Sequence, residues 1–116
     1  MRVGGFVKMP NVTFYIDKEK MPNSEILSLI TEECTELCTD ILKAALKNVH
    51  IIFVPVTHGR GHPVFVEIQY RLETFRTTPV MEHFMEAMEN SITRRAGLTA
   101  RIRCFGYAAS SIFARN

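Results

Sequence analysis

Residues 9 to 16 read Met9-Pro10-Asn11-Val12-Thr13-Phe14-Tyr15-Ile16, a proline directly behind an internal methionine and ahead of an alternating hydrophobic run. Val12, Phe14 and Ile16 share one side and polar or amphipathic residues the other, which predicts a half-buried strand over residues 11–16. Proline has no N–H to give to a sheet, so it is tolerated as a strand's first residue. Its nitrogen would also be a rigidly held secondary amine if the chain began there. These two readings of Pro10, as a strand opener and as a terminal base, set the functional question.

The 116 residues suit one domain. Hydrophobic residues make up 47% and charged residues 22%, the balance of an ordinary globular chain. Fourteen Lys+Arg against 12 Asp+Glu give a net charge of +2, which argues against a nucleic-acid or membrane partner on bulk electrostatics. No apolar run approaches the length of a membrane span. Residues 1–9 lack the apolar core of a signal peptide. Cys34, Cys38 and Cys104 do not have a metal-ligand spacing, and a reduced, cytoplasmic protein using them as small hydrophobes is expected.

Downstream of the first strand, Pro22, Asn23 and Ser24 are helix-start residues. Ile26, Ile30, Leu37 and Ile41, with Leu27, Cys34, Cys38 and Ala45, recur at helical spacing, while threonines and acids fill the other side. Val49–Val56 is a nearly continuous run of β-formers and predicts a strand covered on both faces. Thr57–Pro63 is a loop, and Val64, Val66, Ile68, Tyr70 and Leu72 alternate along a third strand. Thr78-Pro79 opens a second helix whose apolar face carries Met81, Phe84, Met85, Met88 and Ile92, and Gly97 ends it. A last strand, roughly residues 98–107, sets Ala100, Ile102 and Cys104 against Arg101, Arg103 and Phe105.

The order predicts an α+β fold: two consecutive β-α-β units forming a four-stranded sheet with two helices on one face. The opposite sheet face mixes aromatic and charged residues, which points to burial in an oligomer.

Chain length, the Met9–Ile16 segment, the helix leading to Val49–Val56, the glycine-bearing loop and the Pro63–Leu72 strand together resemble the tautomerase superfamily, which includes 4-oxalocrotonate tautomerase, 5-carboxymethyl-2-hydroxymuconate isomerase and macrophage migration inhibitory factor. The tail Ser110-Ser111-Ile112-Phe113-Ala114 looks like the C-terminal segment of its longer members, so the resemblance covers residues 9–116. It implies a homotrimer with each terminal proline in a pocket near a subunit boundary, and no cofactor. The proline amine there shuttles a proton in keto–enol tautomerisation, and in some branches serves hydration, dehalogenation or decarboxylation. Arginines hold the carboxylate of a small substrate, and an aromatic residue closes the pocket.

Carried onto this sequence, the resemblance makes Pro10 the catalytic base and residues 10–116 the domain, with 1–9 as an N-terminal extension. A base works best with a pKa near the operating pH; an α-amino group starts near ~7.7–8.0, and burial and neighbouring cations lower it. Arg71, Arg101 and Arg103 are the candidate cations and carboxylate ligands. Phe105 and Tyr107 are the candidate pocket aromatics; Arg60 and Arg76, in loops, rank below them. While Met9 is attached, the Pro10 nitrogen is an amide without basicity. Activity therefore requires a start, or processing, at Pro10; otherwise the chain is a non-catalytic trimer of the same fold. His58 and His62 flank Gly59-Arg60-Gly61, but two histidines lack the third ligand of a metal site, and none is expected.

The same element order also describes a ferredoxin-like module binding a ligand or nucleic acid, with its second and third strands paired antiparallel. Arg60–Val66 faintly echoes an RNA-recognition strand, yet His62 and Pro63 stand where stacking aromatics or small residues belong.

Overall fold

The computed structural model describes residues 9–116; of the extension expected over residues 1–9, all but Met9 lies outside the described residues. Strands β1 (Asn11–Asp17), β2 (His50–Val56), β3 (Val64–Arg71) and β4 (Ala100–Tyr107) alternate with helices α1 (Ser24–Asp40) and α2 (Thr78–Ala96). The sheet order is β2-β1-β3-β4. Helix α1 links the parallel pair β1/β2 and α2 links the parallel pair β3/β4, while β1 and β3 meet antiparallel at the centre. The α+β fold of two β-α-β units is therefore as the sequence predicts. The ferredoxin-like alternative is overturned, because β2 and β3 lie on opposite sides of β1 and do not pair.

Alternation decides which sheet face is covered. Val12, Phe14 and Ile16 of β1, and Val64, Val66 and Ile68 of β3, are buried against the helices. Their odd-numbered neighbours turn to the other face, where register aligns Ile52, Thr13, Glu67 and Arg103 across the four strands. Strand β2 departs from expectation: it forms a sheet edge, and His50, Ile52 and Pro55 are exposed. An apolar run reports hydrophobicity but not strand position, and an edge strand tolerates the missing N–H of Pro55.

Asn23 caps α1, its Oδ1 accepting from the Ile26 N–H at 2.9 Å. Ile30, Cys34 and Cys38 form the buried stripe. The sequence pattern runs on to Ala45, but the helix ends at Asp40. Lys43 takes a left-handed φ of 58°, and the Ala44 N–H turns back to the Cys38 carbonyl at 3.1 Å. That turn drives Leu42 into the core. Helix α2 starts with Pro79 in its first turn and stops at Gly97, whose φ of 67° suits a residue without Cβ.

The helices are joined on their outer side by Glu33 of α1. Its carboxylate accepts from the Ser91 hydroxyl, from Arg94 at 3.0 Å and from Arg95 Nε at 2.8 Å. The Arg95 hydrogen bond is the main cause that lowers the Glu33 carboxyl from an ordinary 4.5 to about 2; partial burial opposes it, and Ser91 and Arg94 add to it. A depressed carboxyl stabilises the fold above its unfolded pKa and loses that contribution as pH falls through the folded value. With both arginines partly solvated, Glu33→Gln is expected to cost about 1 kcal/mol at pH 7. Urea unfolding should show that cost shrinking below about pH 4.5 and vanishing near pH 2; a pH-independent difference would reject the ion cluster as its source.

Candidate active site

Pro10 is fully buried at the entry to β1. Its carbonyl accepts from the His50 N–H at 3.1 Å, one step beyond the β1/β2 ladder. Continuing the register sets Pro10 beside Val49 on one side and Tyr70 on the other, with Gly106 next in the row. A Cβ at Gly106 would lie 2.6 Å from a Leu72 methyl carbon and 2.9 Å from the Tyr70 ring, so those side chains would have to shift.

Two cavities meet at Met9 and Asn48. The inner one, about 270 Å³, is lined by Lys43, Arg71, Glu73, Phe75 and Arg76. The outer one, about 660 Å³, is bounded by Lys47, His50, Gln69, Tyr107 and the tail Ser111–Asn116. Three cations against Glu73 leave the inner cavity positive, and Glu73 is engaged by Arg71 in an ion pair. Arg76 is held rigidly: Nε donates to the Leu42 carbonyl at 2.9 Å and a terminal nitrogen to the Arg71 carbonyl at 2.6 Å. Its guanidinium lies 5.2 Å from the centre of the Phe75 ring. Burial lowers its pKa, chiefly by desolvation.

Of the residues selected from the sequence, Pro10, Arg71 and Tyr107 gather at this end of the sheet. Phe105 is on the open face in the row of Gln69, and 44% exposed. Arg101 and Arg103 lie elsewhere. They line a cavity of about 830 Å³ along the free edge of β4, with His62 and with Glu82, His83 and Glu86 of α2. Arg101 is five residues from the Pro10 row, about 16 Å along the strand. Within one chain these two arginines do not share a cavity with Met9.

From sequence alone Arg76 ranks low, and Lys43 and Asn48 draw no notice. Arg76 earns its place through carbonyls that come near it only on folding, and the left-handed turn at Lys43 has no glycine to announce it. Asn48 carries no sequence signal at all. His58 Nε2 is 2.9 Å from the Gly61 carbonyl, within its own loop. Among the described residues no three His, Cys, Asp or Glu side chains are grouped to hold a metal. Burial pushes the Cys104 thiol up to about 12. No helix of the described chain is long and apolar enough to cross a membrane.

No family model and no curated protein matches the chain by sequence. Solved structures do match it in shape. A macrophage migration inhibitory factor-like protein from Entamoeba histolytica superposes with a TM-score of 0.73 at 12% identity, over 91% of this chain and 95% of that one. A member of the cis-3-chloroacrylic acid dehalogenase family gives 0.73 at 15% identity, over 90% and 80%. A fused 4-OT symmetric trimer gives 0.68 at 16% identity, over 85% and 88%. The chain thus has the fold of the tautomerase superfamily across nearly its whole described length, with the likeness that the sequence suggested now carried by backbone geometry.

The cavity makes a stability contrast. Arg76→Ala strips a charged donor from two carbonyls and should cost about 2 kcal/mol, whereas Arg101→Ala on the exposed strand should stay within about 0.5 kcal/mol. Urea denaturation of both variants measures this; equal costs would show that Arg76 is not anchored as described.

Proposed function

We propose that the chain is a keto–enol tautomerase-type isomerase of small enol or keto carboxylic acids, with Pro10 as general base once Met9 is absent. The observation that carries this reading is the position of Pro10. It opens a central strand of a tautomerase fold, and the residue before it lines two cavities, one bearing Lys43, Arg71 and Arg76. Without Met9 the proline nitrogen would be a secondary amine at that junction. The cations would lower its pKa and receive a substrate carboxylate. The neutral amine would take the enol hydroxyl proton and return it to carbon, so that the C=C bond gives way to C=O with no redox change. Dehalogenase, hydratase and decarboxylase variants use the same base.

A homotrimer completes the proposal. The open sheet face presents Ile52, Phe105 and Tyr107, between 38% and 44% exposed, together with Arg101 and Arg103. Packing that face against neighbouring copies would bury the aromatics and offer the two arginines to an adjoining chain's Pro10 cavity. The fused 4-OT neighbours, which are trimers, support this arrangement. A cytoplasmic setting accords with Cys34 and Cys38 acting as buried apolar side chains. A second reading has its own observation: with Met9 attached, Pro10 is a buried amide, and the protein is then a non-catalytic trimer of this fold.

Phenylpyruvate enol–keto conversion is the test, run on the full chain and on a chain begun at Pro10. Activity is expected only in the latter, with a loss of about 100-fold or more in Pro10→Ala. Arg71→Ala, Arg101→Ala and Arg103→Ala should chiefly raise KM. Equal activity in the two chains would reject Pro10 as the base, and none in either toward enols and haloacrylates would reject the isomerase.

A further inference from the structure

Asn48 Oδ1 is sealed from solvent and has no hydrogen-bond partner among the described residues. Buried carbonyl oxygens of this kind are nearly always paired. The backbone that carries it is held in place: its N–H donates to the Ala45 carbonyl at 2.9 Å and the chain then enters the ladder at His50. Asn48 ends a 3-10 turn (Leu46–Asn48) just ahead of β2, and it and Met9 line both cavities. The unpaired acceptor thus belongs to a residue that borders the junction where loss of Met9 would create an N–H. With Met9 attached, the proline nitrogen has no hydrogen to donate.

We propose that Asn48 is a positioning residue for the Pro10 amine, its Oδ1 accepting a hydrogen bond from the proline N–H once Met9 is absent. This rests on the reading of Pro10 as a free amine. A neutral secondary amine has one N–H and one lone pair, so fixing the first aims the second. Lys43, Arg71, Glu73 and Arg76 face the junction from the inner cavity, and Lys47, His50, Tyr107 and Arg115 from the outer, with Tyr70 beside Pro10 in the sheet. An uncharged acceptor suits this cationic setting. A carboxylate would hold the proton too tightly for a base working near neutrality, whereas an amide oxygen orients the amine and adds no charge.

Every described strand and helix follows Pro10, so the chain begun at Pro10 retains these elements. In that chain, carrying 15N-proline, the amine is titrated by NMR in wild type, Asn48→Leu and Asn48→Asp, and far-UV circular dichroism confirms folding. Asn48→Leu is expected to make the Pro10 ammonium about tenfold more acidic, and Asn48→Asp about tenfold less. Where the enzyme is active, kcat should fall about tenfold in Asn48→Leu at unchanged KM. In the full chain Asn48→Leu should leave the unfolding midpoint unchanged or raise it, since the oxygen has no donor among the described residues. A Pro10 titration indifferent to both substitutions overturns the proposal; if Asn48→Leu fails to fold, Asn48→Asp alone decides it. The titration needs no substrate, so an inactive chain with an Asn48-dependent amine sinks the isomerase and keeps this contact, and the reverse result does the opposite.

Discussion

The register of β1 is the constraint on which the other features depend. Val12, Phe14 and Ile16 are buried on one face, and a one-residue slip would turn all three to the opposite side. The strand is held on both flanks, parallel to β2 and antiparallel to β3. Its first peptide is therefore fixed as firmly as its middle. Pro10 inherits a set position from the burial of Val12, Phe14 and Ile16, and the His50–Pro10 hydrogen bond extends that order one residue before the strand.

From that fixed point the chemistry at this end of the sheet follows by packing. Helix α1 stops short at Asp40, so Leu42 can drop into the core while Lys43, Ala44 and Ala45 wrap around the cavity. The freed Leu42 carbonyl then takes a hydrogen bond from Arg76, 34 residues away. Arg76 in turn holds the end of β3 through the Arg71 carbonyl. A helix terminus, a loop arginine and a strand end thus fix one another, and the positive charge near Pro10 is a consequence of that arrangement. The outer cluster around Glu33 ties α1 to α2, the helices of the two halves.

Much of this architecture was legible in the residues. Period-two alternation marked β1, β3 and β4; Asn23 marked the start of α1, and Pro79 and Gly97 bounded α2. Each of these signals is local. The position of β2 was not legible, because Val49–Val56 is apolar except for His50 and lacks the alternation that separates an edge from a centre. The end of α1 was hidden because the residue adopting the left-handed turn is lysine. Arg71 was found at a strand end, but Arg76 needed the Leu42 carbonyl, and Asn48 is distinguished only by a hydrogen bond it does not make. Arg101 and Arg103 show the converse: their alternation placed them correctly on β4, yet their distance from Pro10 within one chain emerges only from strand order.

The central claim is that the working protein exposes Pro10 as a secondary amine at the mouth of the cavities that Met9 lines. Intact-mass analysis of the protein from its natural source tests it most directly. The account expects the mass of a chain beginning at Pro10. A mass that retains Met9 and residues before it would contradict the proline mechanism and leave a non-catalytic member of the fold.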